Sequence, residues 1–248
     1  MVLTRRAARA NNSIIRWLPN EVLAAVMEDA STADLLALCS TSRLIRNIAT
    51  PLLYRTVILS TVLQVKCFVR TMKRRAGSSS PLARHVRQFS LTDVGNPDFN
   101  IPWSLFKGIT SVISDLFNLE ELDLLILLDR ALEFAEMLLF RAYFPNLLTF
   151  RYAVQWMTSR ERFEPLFLPN LLSYNGPSSV ISSITRDTTS INYACILWHD
   201  VDDLDVDVPL LHLSRLGSPV TVIGVSTSDR LRDATILAGV ASAGQNMI

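Results

Sequence analysis

Cysteine is scarce in this chain: Cys39, Cys67 and Cys195 are odd in number, far apart and without a C-x-x-C pair. A disulfide framework needs paired thiols and a zinc site needs closely spaced ligands, so neither organises the fold, and a reducing compartment fits best. Charge of one sign is also missing, because 24 Lys and Arg against 23 Asp and Glu leave a net +1. Binding driven by counterion release needs clustered cations, so the balance argues against nucleic acid or an anionic membrane as a partner for the chain as a whole. Long apolar runs are lacking too. The longest uncharged stretch, 165–185, holds Pro165, Pro169, Gly176, Pro177 and six serines and threonines, which is unlike a membrane-spanning helix.

The motifs of catalysis are equally absent. There is no G-x-S-x-G elbow, no Walker lysine, no G-x-G-x-x-G and no H-E-x-x-H, and His85, His199 and His212 stand apart from any plausible nucleophile in sequence. No enzyme, metal or cofactor is expected. The acidic run from His199 to Asp207 has neither the turn glycine nor the terminal glutamate of a calcium loop, so it reads as a solvated connection.

What is present is apolar content. A hydrophobic fraction of 49% and a mean hydropathy of +0.27 exclude a disordered chain, and 248 residues suffice for a small module plus a medium domain. The first sixteen residues contain no acid and carry Arg5, Arg6, Arg9 and Arg16, which superficially suits a transit peptide. Ile14, Ile15 and Trp17 lead straight into the next element, so 1–15 reads instead as a flexible basic tail.

Helical punctuation follows. Pro19 suits the first turn of a helix because it has no N–H to lose there, and Val22, Leu23, Val26 and Ala30 recur on one face. Ser31 or Thr32 caps a second helix, with Asp34 early, where the dipole favours an acid, and with Leu35, Leu36, Leu38 and Cys39 as its apolar stripe. Ser40, Thr41 and Ser42 interrupt. Residues 43–49 then read as a third helix with Leu44, Ile45 and Ile48 inward, and Thr50 before Pro51 opens a further turn ending at Tyr54. So few residues enclose only a marginal core, so the module needs a neighbour or a partner protein.

The segments Trp17-Leu18-Pro19-Asn20-Glu21-Val22-Leu23, Asp34-Leu35-Leu36-Ala37-Leu38-Cys39 and Pro51-Leu52-Leu53-Tyr54-Arg55, in that order, resemble an F-box spanning residues 16–58. The resemblance implies docking onto a Skp-type adaptor and, through it, a cullin. It places Leu18, Pro19, Val22, Leu35, Leu36, Leu38 and Cys39 at or near that adaptor interface.

Beyond residue 58 a phrase recurs. Asn118-Leu119-Glu120-Glu121-Leu122-Asp123-Leu124 is echoed by 146–152 and 170–176, and, earlier, by Val86-Arg87-Gln88-Phe89-Ser90-Leu91. Helical patterns over 103–117 and 130–144 alternate with these phrases, and further strands are expected at 191–198 and 220–225. The region 59–248 resembles a degenerate leucine-rich-repeat solenoid of the irregular kind that follows the F-box in many fungal proteins. The expected fold class is therefore α/β, a three-helix module followed by an irregular solenoid with a parallel sheet.

Alternation along its strands sends Leu122, Leu124, Phe150, Tyr152 and Tyr174 inward, leaving Gln88, Ser90, Glu121, Asp123, Thr149, Arg151, Ser173 and Asn175 on an outer, concave face. Charges of both signs there suit a protein or peptide better than a phosphate backbone. Lys66, Arg70, Lys73, Arg74 and Arg75 form a basic run that suits an exposed helix face equally with nucleic-acid contact or an import signal. Toward the end of the chain, a helix at 231–240 and an uncharged tail at 241–248 leave the sheet's last edge to be covered by the tail or by a partner.

The functional expectation is a substrate-recognition adaptor of a Skp-cullin-F-box ubiquitin ligase, in the cytoplasm or nucleus, with no membrane partner and an unnamed target protein. The alternative is a non-catalytic repeat scaffold whose F-box-like helices only cap the solenoid.

Overall fold

The computed structural model describes residues 18–73, 81–92, 101–125, 143–153, 167–177, 180, 184, 191–198 and 221–226. The chain divides into two compact units, Met1–Thr56 and Val57–Ile248.

The first unit holds helices α1 (Asn20–Glu28), α2 (Thr32–Thr41) and α3 (Arg43–Arg55). Pro19 is the N-cap of α1, one position earlier than the sequence pattern places it, and its carbonyl accepts from the N–H groups of Val22 and Leu23. Ser31 caps α2, its hydroxyl accepting from the Asp34 N–H at 3.2 Å and donating to the Asp34 carboxylate at 2.7 Å. Ser42 caps α3 in the same way through the Ile45 N–H. These caps satisfy orphan donors and fix where each helix begins.

The helices depart from the sequence pattern in two places. The third helix does not stop at residue 49: α3 runs through Pro51 to Arg55 as one helix. Thr50 is therefore no cap, and its hydroxyl donates to the Arg46 carbonyl one turn back. Proline removes one rung of the ladder, yet Leu52 and Leu53 on the far side of it pack against the core, and that burial offsets the missing bond. In α1, Leu23 and Met27 face inward, while Val22 and Val26 face out. Both pairs are spaced i, i+4, so periodicity alone allows either stripe to be the buried one. The longer side chains removed the more apolar area and took the inside. The resulting core is Leu23, Met27, Leu35, Ile45 and Ala49, with Ala30, Leu38, Cys39, Ile48, Leu52 and Leu53 packed around it.

The second unit is mixed α/β, built on a sheet ordered β1 to β7 along the chain. Its strands are β1 (Thr56–Leu59), β2 (Gln88–Thr92), β3 (Glu121–Leu125), β4 (Thr149–Ala153), β5 (Ser173–Pro177), β6 (Tyr193–Trp198) and β7 (Thr221–Ser226), and β2 to β7 run parallel. Strand β1 escapes the sequence reading because four residues directly after a helix carry too little alternation to be seen. Helix α4 (Val62–Lys73) follows β1, and α5 (Trp103–Ile113) follows β2. A reciprocal box starts α4: Gln64 Oε1 accepts from the Thr61 N–H at 3.1 Å, and Thr61 Oγ1 accepts from the Gln64 N–H at 3.2 Å. Most of the stretch expected as helix over 130–144 lies outside the described residues, and Tyr143 and Phe144 at its end are not helical. The acidic run 199–207 and the segment 227–248 also lie outside them.

One local unit recurs ahead of the strands. The N–H groups of Val86, Leu119, Leu147 and Leu171 each donate to a carbonyl three residues earlier, and all four side chains are buried. Just before three of them stand Asn118, Asn146 and Asn170, whose side-chain amides donate to the carbonyls of Arg84, Phe117 and Pro145 in the preceding copy. The asparagine of the recurring phrase is therefore a staple between neighbouring turns. Each strand is then started by a shared acceptor: the carbonyls of Arg87, Glu120, Leu148 and Leu172 each take two successive N–H groups of the next copy.

This register stacks identical positions. Phe89, Leu122, Phe150, Tyr174 and Ala194 form one buried row, and Leu91, Leu124, Tyr152, Gly176 and Ile196 the next. Phe150 meets Tyr174 at a ring separation of 6.0 Å, and Phe68 of α4 meets Phe89 at 5.7 Å, which puts α4 on the buried side of the sheet.

Candidate functional site

Two surfaces hold the residues singled out by sequence. On the first unit, Leu18 is 42% exposed, Val22 44% and Leu36 55%, and Pro19 is exposed beside them. Val26, which the periodicity placed inside, is the most exposed of all at 74%. Val22 and Val26, four residues apart, follow one side of α1, and Leu18 stands exposed just ahead of the helix, before its N-cap Pro19. Leu35 is buried in the helical core, and Leu38 and Cys39 are half-buried against it. The predicted set thus divides into four surface residues, Leu18, Pro19, Val22 and Leu36, and three that support them from within.

On the second unit, pleating turns every other strand residue to the side opposite the core. The register aligns Gln88, Glu121, Thr149, Ser173 and Tyr193 in one outward row, and Ser90, Asp123, Arg151, Asn175 and Cys195 in a second. All eight residues expected on this face are brought together there. Tyr193 and Cys195 extend it by a strand, and continuing the same alternation into 191–198 is the signal that would have found them.

Charge is concentrated at one end of the face. Gln88 Nε2 donates to Glu121 Oε1 at 2.8 Å, Arg87 pairs with Glu120, and Arg151 Nε lies 3.5 Å from Asp123 Oδ1. Toward β5 and β6 the face is hydroxyl, amide and apolar: Ser173, Asn175 and Tyr193, with Leu148 and Leu172 exposed just ahead of their strands.

Asp123 is under electrostatic tension. Its Oδ1 is shielded from solvent and receives no hydrogen bond, because the Arg151 guanidinium approaches outside bonding geometry. Burial raises its pKa above the ordinary 3.8; Arg151 pulls it back in part, and Glu121 pushes it further up. A raised acid contributes stability below its unfolded value that is lost as pH rises through its folded value. Asp123→Asn should therefore gain on the parent chain between pH 3.8 and neutrality, measured as the urea midpoint at a series of pH values. A difference independent of pH would show the carboxylate to be as well solvated folded as unfolded.

Elsewhere, burial raises the Cys195 thiol, and burial followed by Arg84 and Arg87 lowers His85. Among the described residues no cluster of His, Cys, Asp and Glu is arranged to hold a metal, and no helix is long and apolar enough to cross a membrane. No protein-family model matches the chain, and no curated protein matches it.

Proposed function

We propose that the chain is a substrate-recognition adaptor of a Skp-cullin-F-box ubiquitin ligase. In this reading α1 to α3 are the F-box, docking onto a Skp-type adaptor and through it a cullin. The second unit is a degenerate leucine-rich-repeat solenoid whose outward sheet face reads a target protein. The observation that carries the proposal is the exposure of Leu18 ahead of α1, of Val22 and Val26 along it and of Leu36 on α2, on a unit whose described residues bury a core of five. Leaving large apolar side chains in water forfeits about 1 kcal/mol each at half exposure, and a partner groove recovers it.

The chain itself makes and breaks no bonds in this scheme. Holding the ligase and the target on one body raises the effective concentration of a target lysine beside the charged ubiquitin carrier, which is a positional contribution to rate. A protein working this way belongs in the cytoplasm or nucleus, where that machinery resides.

Co-purification of the full chain with a Skp-type adaptor is the test. Leu18→Ala combined with Pro19→Ala should weaken adaptor binding by about tenfold or more, as expected from losing one anchor of about 1.5 kcal/mol. Undiminished capture of the adaptor by this double variant would sink the interface, and failure of the parent chain to capture it would sink the function.

A further inference from the structure

We propose a second docking surface, a basic platform on α4 and α5 that takes an acidic segment of a protein partner. Lys66, Arg70 and Lys73 occupy one exposed stripe of α4, spread over about 10 Å of its axis. Lys107, exposed on α5, directly precedes Gly108, the point at which that helix meets α4. The two helices touch where α5 carries Gly108: a Cβ there would lie 3.1 Å from Val69 Cγ1 and 3.7 Å from Lys73 Nζ, so the missing side chain lets the lysine lie over the neighbouring helix. The Lys107 ammonium sits 5.7 Å from the centre of the Trp103 ring. The two ion pairs among the described residues, Arg87 with Glu120 and Asp123 with Arg151, involve none of these four cations.

The platform is separate from the outward sheet face. Val65, Phe68, Val69 and Met72 of α4 are buried, and Phe68 touches Phe89, which points away from Gln88 and Ser90. A partner on the platform and a target on the sheet face therefore approach from opposite sides of the second unit.

Charge complementarity selects an anion, and three observations select an acidic protein segment. The net charge is +1, so with these four cations set aside the other residues sum to −3, and beyond the basic run of 66–75 the chain as a whole offers a long polyanion no net attraction, whereas a short acidic segment suffices to cover the platform. Single-stranded nucleic acid gains affinity by stacking on aromatic rings, and Trp103 is already engaged by Lys107. A membrane needs an apolar face to insert, and the stripe offers Leu63 alone, 70% exposed at its head. Leu63 instead suits one apolar residue placed next to the acids of the partner segment.

The test uses the full chain and fluorescence anisotropy with a labelled oligoglutamate peptide ending in one leucine. An oligothymidylate of equal charge and phosphatidylserine-containing vesicles serve as competitors. Saturable peptide binding that weakens with salt is expected, and K66E/R70E/K73E/K107E should reduce it about tenfold or more, as for the loss of several exposed charge contacts. Should the reversal variant misfold, K66Q/R70Q/K73Q/K107Q decides in its place, with a smaller reduction expected. Absence of saturable binding, a variant that binds like the parent, or tighter binding of the oligothymidylate or the vesicles would each overturn the proposal.

Discussion

Gly176→Ala should destabilise the second unit by about 2–4 kcal/mol, which is overpacking added to a strained buried hydrogen bond. Gly176 stands in the inner row of β5, in register with Ile196. A Cβ at this position would lie 2.7 Å from the Tyr174 hydroxyl oxygen, 3.1 Å from its Cζ and 2.8 Å from the backbone oxygen of Tyr152. Two of those atoms cannot move cheaply. The Tyr152 carbonyl belongs to strand β4, and the Tyr174 hydroxyl is fully buried and donates to the Pro177 carbonyl at 2.7 Å. Increased amide exchange across β4 to β6 and a lower urea midpoint are the readouts. Exchange and midpoint equal to the parent's would show that the ring shifts freely.

A cycle with Tyr174→Phe separates the two contacts. Removing the hydroxyl costs about 1–2 kcal/mol by itself, but it also clears the nearest atom from the alanine methyl. The double variant should therefore be less destabilised than the two single variants added together, by about 1 kcal/mol. The same hydroxyl gives a pH signature. Burial holds the Tyr174 phenol well above 10.0, with Tyr152 and Cys195 adding to the shift. A raised pKa stabilises the fold below the unfolded value and loses that stability as pH rises beyond it, so parent stability should fall above about pH 10, and Tyr174→Phe should remove that portion of the decline.

This cluster also marks where sequence reasoning ran out. The phrases at 118, 146 and 170 are legible because one residue type does one job at one place: the asparagine amide reaches the previous turn, and the leucine after it is buried. Strands β6 and β7 are legible from β-branched and aromatic content alone, to within two residues at either end. The exchange among Tyr174, Gly176 and Pro177 is not legible, because a glycine inside a strand reads only as a weak position until the ring that fills its space is known. Pro51 misleads for a related reason. Local rules end a helix there, and only the burial of Leu52 and Leu53 beyond it keeps α3 intact.

The candidate surfaces divide along the same line. The outward sheet residues follow from alternation, a backbone property, so all eight could be named in advance. The apolar face of α1 could not be oriented, because Val22 with Val26 and Leu23 with Met27 are equally good stripes in sequence. Which stripe is exposed is decided by α3, whose Ile45 and Ala49 enter the shared core with Leu23 and Met27. A surface defined by what a neighbouring helix leaves uncovered lies beyond periodicity.

Adjacent leucines in α2 should give opposite results when truncated, and this pair has the largest functional consequence. Leu35 is buried in the five-residue core of the first unit, while Leu36 beside it is 55% exposed. Leu35→Ala leaves a cavity in a core with few other contacts to redistribute, at a cost of about 2–5 kcal/mol. A 56-residue unit at the ordinary scale of stability holds about 3–8 kcal/mol, so the substitution consumes much or all of it. In the full chain, α1 to α3 should lose amide protection and become susceptible to proteolysis while β2 to β6 keep theirs, and the adaptor binding proposed above should vanish with the fold. Leu36→Ala should leave protection of all three helices within error of the parent, because a surface truncation away from caps and core changes stability by about 0.5 kcal/mol or less. It should still weaken adaptor capture severalfold, since the lost side chain is one of the few apolar groups the unit offers a partner. If both variants lose binding only in proportion to unfolding, the exposed apolar face carries no docking energy. If Leu36→Ala binds less while staying folded, α2 belongs to the interface, and the module's need for a partner is met at the residues its own core leaves outside.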